Sequence, residues 1–310
     1  MEDVKDGIIN ILVTGASGLI GMALREQLSG GSDRVIATDA TNYGREDANL
    51  AVARLEDRSA MQKLIRQGAI SHIAHCGAIS GPMMARDNPM AIVESNILGT
   101  ATLLDIARRA AVKRFVFCSS ISVYGDVGPG IITEDTPLRP TSIYGASKVA
   151  GEQLVRGFAT ESGFEGVSLR LARVYGPYRR TDCYLGDMIR DAKAGRQTII
   201  PSDPNFLYHY IYVDDVVDAI MLALTAPRLP QYEYNVGPEE VLTMPEVVAR
   251  VRKATPGIAV SLVPGADEIS DRQERFAISK IAADLKWKPR RDLGSGIADY
   301  AKRMPAAFAN

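Results

Sequence analysis

The chain has 310 residues, 46% hydrophobic and 24% charged, with a formal net charge of −1, enough for one large domain or two unequal lobes with an ample core. That balance gives no electrostatic case for a nucleic-acid or membrane-surface partner, and no stretch approaches eighteen uninterrupted apolar residues. The acidic start at residues 1–6 lacks the apolar core of a signal peptide, and three odd-spaced cysteines (Cys76, Cys118, Cys183) and three scattered histidines hold no metal-site pattern, so a metal-free protein of the reducing cytoplasm is expected.

The first element is an aliphatic run, Ile11-Leu12-Val13, followed at once by Gly15, Gly18 and Gly21 in a G-x-x-G-x-x-G spacing. Leu19, Ile20, Ala23, Leu24 and Leu28 then recur at helical spacing. A glycine turn between a strand and a helix lets a pyrophosphate approach the backbone and rest on the helix's free N–H groups. Close strand–helix packing is the bland alternative for the same glycines. Further strands are predicted at 34–38, 51–55, 72–76, 114–119 and 167–172 after the first at 9–13. Helices are predicted at about 19–29, 59–67, 90–111 and 143–162. Strands alternating with helices imply right-handed crossovers and a parallel sheet covered on both faces, the doubly wound α/β (Rossmann) class. Beyond residue 173 the alternation loosens into helices at 184–195, 214–225, 244–254, 279–285 and 294–303, separated by proline-rich loops. The expected division is therefore a dinucleotide-binding domain at 1–172, to which 210–226 returns, and a smaller C-terminal substrate lobe at 173–209 and 227–310.

In open parallel sheets ligands bind beyond the carboxyl ends of the strands. Asp39 closes the second predicted strand, eighteen residues past Gly21; a carboxylate there can accept both ribose hydroxyls of an adenosine and would repel a 2′-phosphate, favouring NAD over NADP. A helix N-cap is the structural alternative for Asp39, and Arg45 shortly downstream works against the preference. "YGASK" sets Tyr144 and Lys148 at i and i+4 on one helical face. A phenol is a poor base at neutral pH, but a neighbouring ammonium and the positive ring of an oxidised nicotinamide would stabilise the phenolate. Tyr144 could then take a proton from a substrate hydroxyl as hydride leaves for the cofactor. Upstream, "RFVFCSS" ends in Ser119-Ser120, where a hydroxyl could bond the same substrate oxygen or simply cap a turn. Tyr124 reads as a packing residue.

"TGASGLIG", "HCGAISGP", "NILGT", "FCSSISVYG", "YGASK", "RLARVYGP" and "YIYVDDVVDA" recur in this order in extended short-chain dehydrogenases/reductases, and the chain resembles their NAD-dependent sugar epimerase/dehydratase branch over roughly residues 10–290. The resemblance implies Tyr144 as acid/base, Lys148 as the lysine that binds the nicotinamide ribose, and Ser120 as the hydroxyl donor. It implies Gly15, Gly18 and Gly21 as the pyrophosphate turn, Asp39 as the adenosine-ribose acceptor, and Asn96 as a mainly structural asparagine near the site. Three departures stand against it. Where 4,6-dehydratases carry Thr-Asp-Glu, the last two serving water elimination, this chain has Ser120, Ile121 and Ser122, which argues against dehydration. The family's diphosphate-contacting asparagine is Arg173, and the usual Arg-Asp before "YIYVDD" is Tyr208-His209. Arg272 and Arg275 give no clean match to the family's nucleotide-gripping arginine.

The expected activity is NAD-dependent epimerisation of a sugar, nucleotide-linked in the leading reading, through a transient ketone. A net NAD-dependent dehydrogenase of a free sugar or sugar acid uses the same residues, and a non-catalytic dinucleotide sensor is the alternative from another class. Arg173 is expected in the crevice between lobes, facing a substrate phosphate or carboxylate or an internal acid such as Asp182 or Asp187. Helices 90–111 and 143–162 keep apolar residues such as Ile92, Leu103, Val149 and Leu154 beyond what one sheet face needs. The matching helices of the resembled family form a four-helix interface, so a homodimer is expected.

Overall fold

The aliphatic run ahead of the glycines becomes the strand Asn10–Thr14, and it lies inside a parallel sheet. The computed structural model describes residues 8–81, 85, 87–265, 267 and 271–305. Among these, seven strands join in the order Glu233–Val236, Glu165–Leu171, Arg114–Ser120, His72–His75, Asn10–Thr14, Arg34–Asp39, Leu50–Val52. Every neighbouring pair is parallel. The chain steps outward from Asn10–Thr14 in one direction and resumes on its other side with His72–His75, so the switch point lies between those two strands. Such a switch opens a crevice beyond the strands' carboxyl ends.

Alternate side chains of each strand feed two separate cores. Ile11, Val13, Val116 and Cys118 meet the helices Leu19–Leu28 and Val213–Thr225 on one face. Leu12, Phe115 and Phe117 meet Met61, Ile65, Leu103 and Val155 on the other. On that second face the helix Ile143–Ser162, capped by the Ser142 hydroxyl at the Gly145 amide (3.0 Å), lies beside a helical stretch running from Pro89 to Arg109. This stretch is apolar and long enough to cross a membrane by length and composition. Leu103, Leu104, Ile106 and Ala107 nevertheless lie buried in the core of this molecule.

Two expectations need correction. Glu233–Val236, assigned from the sequence to the smaller lobe, is an edge strand of the main sheet, paired with Glu165–Leu171. Ile92 and Leu103, read as surplus apolar surface, are buried against the chain's own core, whereas Val149 and Leu154 are half-buried. The exposed large apolar side chains on these two helices are Met90, Leu98 and Ile143. The cause is local: Val93–Leu98 is wound as a π-helix between the α-helical segments Pro89–Ile92 and Gly99–Arg109. One extra residue in the winding rotates every following side chain off a 3.6-residue count.

His75 closes its strand fully buried. Thr14 Oγ1 lies 2.7 Å from its Nδ1, and Thr100 Oγ1 lies 2.9 Å from its Nε2. Thr100 already donates to the Asn96 carbonyl at 2.6 Å, so the ring proton belongs on Nε2 and Nδ1 accepts from Thr14. Burial, assisted by the Lys148 charge, pushes the His75 pKa down from 6.5 to about 3. Burial lowers His209 to about 4. The unfolded chain takes up these two protons below about pH 6.5 while the folded chain does not, so stability is fully present above that pH and declines toward pH 4. The limiting slope is about 1.4 kcal/mol per pH unit for each histidine. Buried carboxyls with raised values, such as Asp39 and Asp215, oppose the trend. Urea unfolding at pH 7 and pH 5 should give a lower midpoint at pH 5, and the decline should be shallower in His75→Gln. Parallel declines in both proteins would contradict the assignment.

Candidate active site

One cavity of about 320 Å³ opens at the carboxyl end of the sheet, and the glycine turn forms part of its wall. Gly15 has a φ of +63°, and a Cβ there would lie 2.6 Å from the Gly77 amide nitrogen. A Cβ on Gly21 would lie 2.2 Å from the Gly15 carbonyl oxygen. The packing of the turn therefore already requires these two glycines. Gly18 differs: a Cβ there would meet only the Gly15 carbonyl, at 3.2 Å, and the residue lines the cavity. It is also the N-cap of Leu19–Leu28, a helix with no side-chain cap and no acid in its first turn. Unclaimed N–H groups at the positive end of a helix suit an anion such as a dinucleotide's pyrophosphate.

Asp39 stands at the end of the second strand and lines the same cavity. It caps no helix. One carboxylate oxygen accepts from the Ser17 amide at 2.9 Å and the other from the Ala40 amide at 2.7 Å, which fixes it beside the glycine turn. Burial raises its pKa, opposed by those amides and the Arg45 charge. Arg45 is tied back, donating to the Ser17 carbonyl at 3.0 Å. Tyr43 belongs to the same wall.

Across the switch point, the strand Arg114–Ser120 and the helix Ile143–Ser162 converge. Tyr144 and Lys148 are both buried yet line the cavity. Lys148 Nζ donates to the Cys118 carbonyl at 2.7 Å and sits 4.8 Å from the Phe117 ring centroid and 5.8 Å from that of Tyr144. Ser120 is the N-cap of the short turn Ile121–Val123, its Oγ accepting from the Ser122 amide at 3.2 Å. Capping consumes an acceptor lone pair and leaves the hydroxyl proton to donate into the cavity. Ser119, one residue earlier, instead donates to Glu152 at 2.6 Å. Asn96 braces the arrangement from behind. It bonds both backbone groups of Ile79, at 2.8 and 3.1 Å, and donates to Ser147 Oγ at 3.0 Å; Ser147 in turn donates to the Tyr144 carbonyl at 2.7 Å. Tyr124 is fully buried, held between Asn235 and Arg170.

Arg173 opens the strand Arg173–Tyr175 and lines the same cavity. Its acid partner is Asp267, at 3.3 Å, rather than either residue named from the sequence; Asp187 pairs with Arg190. The guanidinium also lies 5.1 and 5.7 Å from the ring centroids of Tyr208 and Tyr210. Those rings stack with centroids 5.6 Å apart, so the departure at Tyr208-His209 builds a shelf for the departure at Arg173. Arg272 pairs with Asp203, and neither it nor Arg275 lines the cavity. Asp267, Gln273, Tyr43 and Arg180 escaped the sequence reading because they contribute from loops without a motif. Cys76 and Cys118 also line the cavity, and Cys76 is only partly buried. Among the described residues no group of acidic, histidine or cysteine side chains is placed to hold a metal ion.

A model of the NAD dependent epimerase/dehydratase family matches residues 11–237. The chain is 29% identical to a dTDP-glucose 4,6-dehydratase of Streptomyces griseus over 306 residues, covering 93% of this chain and 92% of the relative. Among solved structures it is similar to a UDP-glucose 4-epimerase of Thermus thermophilus in complex with NAD, with a TM-score of 0.84 and 27% identity, covering 96% of this chain and 99% of that one. It is also similar to MoeE5 in complex with UDP-glucuronic acid and NAD, with a TM-score of 0.85 and 27% identity over 95% and 98% of the two chains.

Proposed function

The chain belongs to the NAD-dependent epimerase/dehydratase family, and on that footing we propose that it epimerises a secondary alcohol of a nucleotide-linked sugar. The observation that carries this reading is the convergence of Ser120, Tyr144 and Lys148 on the cavity whose far wall is the glycine turn and Asp39. NAD, when bound, supplies a reversible hydride acceptor. Gly18 and the amides after it would hold its pyrophosphate, Asp39 its adenosine ribose and Lys148 its nicotinamide ribose. Tyr144 takes the proton from the reacting hydroxyl and returns it once the sugar has presented its other face. Ser120 donates to the same oxygen as negative charge builds on it. Lys148, held by the Cys118 carbonyl, supplies positive charge beneath the phenol. The dehydratase relative's chemistry differs by an elimination step; with Ile121 and Ser122 after the strand, this chain has no carboxylate there to serve it. Asp39 favours NAD over NADP, its charge opposing a 2′-phosphate.

In Tyr144→Phe, turnover should fall at least ~100-fold with the fold and cofactor affinity retained, the usual scale for a general acid–base group. Near-full activity in that variant would remove the assignment. Lys148→Met should weaken both turnover and cofactor binding.

Arg173 is assigned to an anionic group of the substrate, a phosphate or a carboxylate, which displaces or shares Asp267. A cavity-lining guanidinium on an aromatic shelf is suited to a forked interaction with such a group. Arg173→Ala should raise the Michaelis constant by about tenfold or more and leave NAD affinity nearly unchanged. A less stable variant with an unaltered Michaelis constant would mean that Asp267 is its whole purpose. We further assign a homodimer to the face bearing Leu98 and Ile143; a single-chain mass by light scattering at micromolar concentration would refute it.

A further inference from the structure

The stretch that follows the strand Arg173–Tyr175, residues 176–183, crosses from the smaller lobe to the dinucleotide-binding half and touches it at two points. The Tyr178 hydroxyl donates to Glu26, on the helix that starts at the glycine turn. Two residues on, the Arg180 guanidinium sits 4.1 Å from the centroid of the Tyr43 ring. The crossing is shaped from within: Arg179 donates to the carbonyls of Val174, Thr181 (3.3 Å) and Asp182 (3.2 Å). It is also pressed close, since a Cβ on Gly176 would lie 2.5 Å from Val213 and 3.4 Å from Leu19.

Tyr43, on the opposite bank, is aimed with equal care. Its φ is +53°, a left-handed conformation that a bulky residue adopts only when its surroundings hold it there. The holding contacts are the Tyr43 amide on Thr41 Oγ1 and the Gly44 amide on Asn42 Oδ1, both 3.0 Å. Arg45 then fastens this loop to the carbonyl of Ser17. Tyr43, Tyr178, Arg179 and Arg180 all line the cavity shared by Gly18 and Asp39. Two separate loops from two lobes thus meet over the end of the groove where Asp39 receives an adenosine.

We propose that Tyr43 and Arg180 form a clasp across the adenosine end of the cofactor groove, and that this clasp holds the dinucleotide in place from one turnover to the next. Release of the adenosine half requires the two loops to part, which breaks the cation–π contact and the Tyr178–Glu26 bond beside it. A bound dinucleotide excludes water from the pair, and desolvation strengthens a cation–π contact. Arg180 also brings a positive charge to the rim of a groove meant for a polyanion. The consequence reaches the chemistry: a retained cofactor returns its hydride to the sugar it came from, whereas a freely exchanging one would leave reduced. This proposal depends on NAD as the cofactor and not on which sugar is the substrate.

The test is the rate at which NAD leaves the protein. Wild type, Arg180→Ala, Tyr43→Ala, Tyr43→Phe and the Arg180→Ala/Tyr43→Ala double variant are loaded with NAD and desalted, and bound NAD is quantified over time after denaturation. Each alanine variant should lose NAD about tenfold faster than wild type, the scale of one partly desolvated cation–π contact. Tyr43→Phe keeps the ring and should behave as wild type. The double variant should be no faster than Arg180→Ala alone, because the ring contributes only through the contact that Arg180→Ala already removes. Wild-type release rates in the alanine variants, additive effects in the double variant, or rapid loss from Tyr43→Phe would each overturn the clasp. No sugar enters the measurement, so a failed epimerase assignment and a failed clasp give separate results.

Discussion

The hydrogen bond from the Lys148 ammonium to the Cys118 carbonyl is the contact on which the geometry of this site depends. It joins the helix that carries Tyr144 to the last turn of the strand that carries Ser120, at 2.7 Å. An ammonium buried this far needs partners to offset its lost hydration. The carbonyl meets part of that demand, and the faces of Phe117 and Tyr144 meet more. Phe117 has a second duty. A Cβ on Gly151 would lie 2.5 Å from its ring, so the glycine on the helix is what permits the strand and helix to approach closely enough for the hydrogen bond to form.

Behind this contact lies a buried polar assembly that fixes the remaining degrees of freedom. Glu152, one turn beyond Lys148, is fully buried and receives Arg170 through Nε and Nη2 at 2.8 to 3.2 Å, together with Ser119 at 2.6 Å. Arg170 passes the connection to Tyr124, and Tyr124 to Asn235 at 2.6 Å. A buried ion pair of this kind is poor evidence for net stability, since desolvation offsets most of its attraction. Removing one partner would nevertheless strand a charge in the core. Its evident contribution is register: three strands and the helix Ile143–Ser162 can satisfy these groups in one arrangement only.

Most of the fold was legible because burial imposes periodicity on the chain. The central strands carry short apolar runs, and nearly every helix begins and ends within a few residues of its periodic pattern. Glu233–Val236 was not legible because two of its four residues, Glu233 and Asn235, are polar and buried with partners. Arg156 reaches Glu233, while Glu134 and Tyr124 reach Asn235; no hydropathy pattern encodes that. The facing of Leu103 was misread for a different reason, the π-wound segment Val93–Leu98 that precedes it. At the site, the glycine turn, Asp39, Ser120 and the Tyr144–Lys148 pair could be found because each is a local pattern with its own chemistry. Asp267 could not be paired with Arg173, nor Tyr43 with Arg180, because 94 and 137 residues separate the partners along the chain and only the tertiary fold brings them together.

The central claim is that one enclosed site removes a hydride from a sugar carbon and gives it back to the same carbon. It is tested most directly by following a deuterium label placed on that carbon of a nucleotide-linked sugar, with NAD bound and no free cofactor added. The account predicts that NMR will find the epimer formed with the label kept on the same carbon and no labelled NADH in solution. Label lost to free NADH, with a ketone or acid accumulating in stoichiometric amount, would contradict it and identify a net dehydrogenase.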